Sequence, residues 1–304
     1  MSNPAISVIM PAYNCEKYIE SSIKCVLTQT FHDFELIVIN DCSTDKTEEK
    51  ILRINDKRII YKRNNINQGE SKTRNLALSF AKGKYIANQD HDDISTTDRL
   101  SKQIQFLESN PEYGLVGSRY TIIDPNDNKI RNITTLITNT QLLNGMTTQN
   151  RFAHGSIMYR KECLNYAKYD ESLICAQDYL FIHNIMKRFK VANLNEFLYF
   201  YRVHENCISS QQKSKMIEAT KLVKDIIWDD YFPYLGKHKL IESNLYAYPK
   251  YVRIDYAEAL KDIGIKIQGT NKKLASKYFF ASYLYDPSNT NRLGRFLRCM
   301  ILGS

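Results

Sequence analysis

Three apolar runs in the N-terminal third of the chain each run out into polar residues, and this pattern restricts the fold more than any other feature. Ile6-Ser7-Val8-Ile9-Met10 leads into Pro11-Ala12-Tyr13-Asn14, Phe34 to Ile39 into Asn40-Asp41, and Tyr85-Ile86-Ala87 towards Gln89-Asp90-His91-Asp92-Asp93. Helical periodicity fills the intervals. Asn14 is expected to cap a helix in which Ile19, Ile23, Val26 and Leu27 share one face. Ser43-Thr44-Asp45 offers cap chemistry for a helix to about Ile54, and Arg58-Ile59-Ile60-Tyr61 reads as a further strand. Gln68-Gly69 precedes a helix with Leu76, Ala77, Phe80 and Ala81 inward, closed by Gly83 as a C-cap. A helix carrying Leu100, Ile104 and Leu107 leads to the run Leu115-Val116-Gly117. Short strands alternating with helices predict an α/β fold with a Rossmann-like, mostly parallel central sheet and flanking helices.

The chain can afford such a core. Its 304 residues are 43% hydrophobic and 25% charged, which excludes both a disulfide-stapled miniature and a disordered chain. Seven cysteines (15, 25, 42, 163, 175, 207, 299) contain no CxxC pair, so neither a disulfide framework nor a thiolate zinc site is expected. No window of about 18 apolar residues occurs. Met1-Ser2-Asn3-Pro4 lacks the charged and apolar regions of a signal peptide, so a cytoplasmic placement is expected. The net charge of +9 is uneven: from Lys266 onward seven basic residues face only Asp286. A basic end on a nearly neutral body implies a local anionic partner.

In an open parallel sheet, ligands bind beyond the carboxyl ends of the strands. Three carboxylates within Asp90-His91-Asp92-Asp93 repel one another there unless a cation or solvent relieves them, and a polar turn capping the next helix explains only one of them. Mg²⁺ or Mn²⁺ bridging to a diphosphate would explain all three. A glycine cradle for phosphate is excluded, because the first glycine is Gly69 and no Gly-x-x-x-x-Gly-Lys-Ser/Thr loop exists.

The ordered set Val8-Ile9-Met10-Pro11-Ala12-Tyr13-Asn14, Val38 to Asp45, Asn67-Gln68-Gly69 with Arg74-Asn75, Asp90-His91-Asp92-Asp93, Gln177-Asp178 and Tyr201-Arg202-Val203-His204 resembles the inverting family-2 glycosyltransferases of GT-A fold. It covers about the first 210 residues. The resemblance implies a nucleotide-diphospho-sugar donor, UDP being expected, and Mn²⁺ or Mg²⁺ as cofactor. It places Pro11, Ala12, Tyr13 and Asn14 at the nucleotide, with Tyr13 packing on the base and Asp41 accepting from its ring N–H. Arg74 would lie near the nucleotide or form a structural salt bridge with Asp41 or Asp90. Asp90 would contact the ribose region, His91 would lie at the nucleotide, Asp92 would ligate the metal, and His204 would approach the metal or the diphosphate. Asp178 would be the catalytic base, although an acid at that spacing also suits an ordinary helix N-terminus. His154, Gly155, Ser156 and Gln177 would lie towards the acceptor or sugar, and Arg202 would pair with phosphate. The family motifs commonly carry Gly at the position of Cys42 and Glu at that of Gln177.

The implied division is a nucleotide-sugar-binding half over 1–120, an acceptor-binding half over 121–210, and a helical, basic, Tyr-rich region over 211–304. The implied acceptor is a surface glycan or lipid-linked glycan. A nucleotidyltransferase would want a glycine- and basic-rich loop after the first strand, which Pro11 to Asn14 does not provide. A nucleic-acid-binding module would use the basic end, but the Asp cluster would repel a phosphate backbone, so no nucleic acid is expected. Arg292, Arg295 and Arg298 beside Leu293, Phe296, Leu297, Met300 and Ile301 suit an anionic membrane surface. Salt-sensitive binding to anionic liposomes, lost on deleting residues 288–304, is the expected result; equal binding by the shortened, folded chain would reject it.

Overall fold

The computed structural model describes residues 3–205 and 213–231, with the single positions Lys261, Ile265, Ala275, Phe279 and Arg295. Strands β1 (Ile6–Ala12), β2 (Phe34–Asn40), β3 (Ile59–Arg63) and β4 (Tyr85–Asn88) pair in parallel in the order β3-β2-β1-β4. Every residue of β1 and β2 is buried, because helices cover both faces of this part of the sheet. The period-2 alternation sorts their side chains. Val8, Met10, Leu36 and Val38 pack with Ile19, Ile23 and Val26 of α1 (Ile19–Leu27), Ile51 of α2 (Thr47–Leu52) and Leu100, Ile104 and Leu107 of α4 (Arg99–Ser109). Ile9, Ile37 and Ile39 face Ala77 of α3 (Glu70–Phe80), within a larger cluster that includes α5 (Asn139–Met146), α6 (Gln177–Met186) and α7 (Lys213–Tyr231).

The sheet is mixed, not mostly parallel. Beyond β4 it continues through β8 (Met158–Arg160), β6 (Tyr113–Ile123), β9 (Lys190–Arg202) and β5 (Ile94–Ser95), with β7 (Lys129–Ile133) on β6. The β4/β8, β6/β8, β6/β7 and β5/β9 pairs are antiparallel, while β6/β9 is parallel. The expected division at residue 120 therefore falls inside β6, a strand that joins both halves into one sheet.

Two local expectations change for identifiable reasons. Asn14 does not cap α1; it adopts φ +44° and its Oδ1 accepts from the Thr44 N–H at 2.8 Å, tying the end of β1 to the loop after β2. Gly83 is not a C-cap, since α3 ends at Phe80 with Ala81 extended. A Cβ at Gly83 would lie 2.5 Å from the Ser7 backbone nitrogen, so glycine is needed there for close approach to β1.

Cys15, Cys25, Cys42 and Cys163 are free thiols. Among the described residues no helix is long and apolar enough to cross a membrane. In α7, Val223 and Ile227 are buried, whereas Ile217 is exposed. The basic positions Lys266, Lys272, Lys273, Lys277, Arg292 and Arg298 lie outside the described residues; Arg295 is described, its guanidinium 6.0 Å from the Phe279 ring centroid.

Candidate active site

Parallel pairing brings the ends of β1, β2 and β4 to one edge, which carries Tyr13-Asn14, Asp41 and Asp90 to Asp93. Pro11 and Ala12 close β1 as buried residues; their carbonyls receive His91 Nδ1 at 3.0 Å and the Asp41 N–H at 2.8 Å. Tyr13, just beyond, is 43% exposed. Asp41 is only 4% exposed and accepts from Asn64 Nδ2 (2.7 Å) and from the N–H groups of Gln68 and Gly69 (both 2.9 Å). The last two donors open α3, so the carboxylate neutralises a helix N-terminus. Three of its roughly four lone-pair positions are occupied, and one remains.

The three aspartates after β4 are relieved separately instead of converging on one ion. Asp90 pairs with Arg74 at 2.5 Å, and burial still pushes its carboxyl up against the pull of that guanidinium. Asp93 turns inward, accepts from the Arg202 N–H at 2.7 Å, and is driven well above the usual range by burial and then by Asp92 and Asp90. Asp92 faces the cleft with His204, Oδ2 to Nε2 being 3.0 Å. Burial opposes its ionisation, yet the His91 charge and the His204 contact hold it below the ordinary carboxylate range.

One carboxylate oxygen and one imidazole nitrogen, adjacent and partly exposed, fit a divalent cation whose other ligands are diphosphate oxygens and water. Among the described residues no group of three or more His, Cys, Asp or Glu side chains converges.

Arg202 departs from the expected phosphate contact. It is 2% exposed, and its guanidinium bonds the carbonyls of Asp92 (2.6 Å) and Asp124 (3.2 Å) and the Asp127 carboxylate (2.5 Å). It therefore braces the loop bearing Asp92. His204 stacks at 4.9 Å on Tyr18, whose ring also lies 4.6 Å from the Arg202 guanidinium.

On the other side of the cleft, His154, Gly155 and Ser156 form one 3-10 turn against the end of β4. His154 Nε2 meets Asn88 Nδ2 at 2.9 Å and the Tyr169 hydroxyl at 2.8 Å, and burial with the nearby Arg74 charge keeps the imidazole neutral. Gly155 has no room for a Cβ, which would sit 1.9 Å from the Tyr199 hydroxyl and 2.7 Å from Asp90 Oδ2. Ser156 is fully buried with its hydroxyl on the Ala153 carbonyl at 2.7 Å, so it builds the turn and presents nothing to the cleft. Beneath it the buried Arg99 donates to the carbonyls of Asn88 (2.9 Å) and Gly155 (2.7 Å), joining turn and strand.

Asp178 occupies the first turn of α6, behind Ala176 at φ +58°. Its Oδ2 accepts from Asn150 Nδ2 at 2.7 Å. Burial, then the Glu70 charge, raise its carboxyl to about 6, with the Tyr179 N–H, Arg74 and Asn150 acting against them. Gln177 is buried and donates to Glu70 Oε2 at 2.8 Å. Asn14, Cys42 and Ala176 have positive φ, as does Asp127 in the turn between β6 and β7. Left-handed backbone costs each about 1 kcal/mol, and strain of this kind gathers at functional sites. Cys42 holds φ +62° where glycine is the family's usual residue.

Glu70, Asn88, Asn150, Tyr169 and Tyr199 belong to the site without having been singled out by the sequence. A single polar side chain in a helix or loop carries no periodic signal, and each gains meaning only from a partner far along the chain.

The family model described as Glycosyl transferase family 2 matches residues 7–171. An uncharacterized glycosyltransferase of Methanocaldococcus jannaschii, MJ1057, is 36% identical over 224 residues, 71% of this chain and 77% of that protein. The Escherichia coli UDP-Glc:alpha-D-GlcNAc-diphosphoundecaprenol beta-1,3-glucosyltransferase WfaP is 30% identical over 224 residues, 73% of this chain and 86% of that protein. Among solved structures, S. aureus TarS 1-349 in complex with UDP-GlcNAc superposes with a TM-score of 0.61 at 20% identity, covering 97% of this chain and 89% of that one. The mixed sheet with flanking helices is thus of the GT-A type.

Proposed function

The chain belongs to glycosyl transferase family 2, and on that premise we propose that it is an inverting, cation-dependent transferase moving a hexose or N-acetylhexosamine from UDP to a hydroxyl of a lipid-linked glycan. The observation that carries this reading is the state of Asp178. A carboxylate held by the Asn150 side chain and the Tyr179 N–H, desolvated, and raised to about 6 suits a general base working near neutral pH. WfaP, named for a UDP-Glc donor and a diphosphoundecaprenol-linked acceptor, and TarS, which binds UDP-GlcNAc, support the choice of substrates.

In this reading the base packs on Tyr13, and its ring N–H donates to the remaining lone pair of Asp41. Arg74 and Asp90 line the ribose side with His91, and Asn14 shapes the turn beneath the nucleotide. Asp92 Oδ2 and His204 Nε2 hold the cation. When bound, Mn²⁺ or Mg²⁺ supplies positive charge that offsets the leaving diphosphate. The acceptor oxygen bonds to the anomeric carbon from the face opposite the diphosphate, the carbon–oxygen bond to the diphosphate breaks, and the hydroxyl proton passes to Asp178. His154, neutral and fixed by Asn88 and Tyr169, and the backbone of Gly155 form the wall of the sugar pocket. The basic stretch from Lys266 onward would bring the enzyme to an anionic membrane surface where a lipid-linked acceptor resides.

Ligand-dependent unfolding tests the donor assignment. UDP with Mn²⁺ at a hundredfold excess over Kd should stabilise the protein by roughly 2.7 kcal/mol and raise Tm by several degrees. UMP or Mn²⁺ alone should do much less. No response to UDP with Mn²⁺ would remove the nucleotide site from the proposal.

A further inference from the structure

Glu70 sits between the two halves of the cleft. It lies in the first turn of α3, and its Oε1 accepts from Arg74 Nε at 3.0 Å, the guanidinium that also holds Asp90. Its Oε2 accepts from Gln177 at 2.8 Å, on the turn of α6 that carries Asp178. One carboxylate thus ties the end of β4 to the helix bearing the candidate base, across 107 residues of sequence. Arg74 is almost fully buried and one of its terminal nitrogens, itself buried, has no hydrogen-bond partner among the described residues, so Glu70 fixes a guanidinium with donor capacity to spare.

We propose that Glu70 is a positioning residue for the transfer reaction, coupling the nucleotide side of the cleft, through Arg74, to the Asp178 helix turn, through Gln177. The proposal rests on the reading of Asp178 as base. The chemistry of the pair explains why position 177 is an amide: a carboxylate there would stand at hydrogen-bond distance from Glu70 and repel it, whereas the amide N–H₂ donates to it. The negative charge beside Asp178 is carried by α3 in place of α6.

Among the described residues, Asp178 is faced from three elements. Glu70 and Arg74 come from α3, Asn150 from the segment before the 3-10 turn, and the Tyr179 N–H from its own helix. Cys175 lies on the preceding loop and is itself faced by Glu70 and by Lys215 of α7. Two of these make opposite predictions for the same proton. Removing the Glu70 charge should ease ionisation of Asp178, and removing the Asn150 donor should hinder it.

The test is a pH titration of the full chain labelled with ¹³Cγ-aspartate, the Asp178 signal being assigned by its absence in Asp178→Asn. Glu70→Gln should move the Asp178 midpoint down by about half a pH unit or more, and Asn150→Ala should move it up. Glu70→Asp should restore the wild-type direction in part. Glu70→Ala, which removes the tether as well as the charge, should also lower turnover of UDP-glucose or UDP-N-acetylglucosamine by about tenfold or more at pH 8, where Asp178 is ionised in every variant. An unmoved midpoint in folded Glu70→Gln, or full turnover in Glu70→Ala, would overturn the proposal. Loss of the base reading itself shows differently: Asp178→Asn would then keep its turnover whatever Glu70 does.

Discussion

Asp178→Asn should lower turnover by about 10²- to 10⁴-fold while leaving UDP affinity close to that of the wild type. The substitution keeps shape and the Asn150 contact but removes the carboxylate that, in this reading, accepts the acceptor's proton. Because burial and the Glu70 charge raise the carboxyl to about 6, the wild-type rate should climb as pH rises through 6 and level off above it. The sign follows from the role: the base works ionised, so protonation below that pH silences it. Residual activity of the variant should lack this limb. A variant that loses nucleotide affinity yet turns over normally would move the base elsewhere.

Asp92→Asn should abolish the stabilisation that UDP with Mn²⁺ gives the wild type and reduce transfer by at least about 10²-fold. The neutral amide keeps an oxygen near His204 but loses the charge that would hold a cation against a diphosphate. Excess EDTA should reproduce the loss in the wild type, and added Mn²⁺ should reverse it. Full activity in EDTA, or an undiminished Tm response in Asp92→Asn, would exclude these residues as the cation's ligands.

The sheet edge that carries Tyr13, Asp41 and Asp90 to Asp92 was legible in the sequence for a physical reason. Strands buried on both faces read as continuous apolar runs, and their abrupt polar ends mark the sheet edge where ligands bind. Pro11 to Asn14, Asp41 and Asp90 to Asp92 were found in this way, and the structure brings them to one edge. The acceptor side was not legible from pattern. β8 has three residues, too few to display a period, and its antiparallel entry beside β4 makes the sheet mixed.

The contacts that define Asp178 are also invisible to local reading. Asn150 reaches it across 28 residues, and Glu70 reaches Gln177 across 107. The family resemblance implied a phosphate partner for Arg202, whereas its guanidinium bonds the Asp92 and Asp124 carbonyls and the Asp127 carboxylate, which only the fold places around it. Gly83 was read as punctuation of α3, and its actual role depends on Ser7, seventy-six residues earlier.

The displacement mechanism is tested most directly by the configuration of the first-formed sugar product. With UDP-glucose, an α-linked donor, and either water or a lipid-linked glycan as acceptor, proton NMR during the first turnovers should show an anomeric signal with the large axial–axial coupling of a β-glucoside. An initial product with the small coupling of the α-anomer would mean retention, and would contradict a single displacement assisted by Asp178.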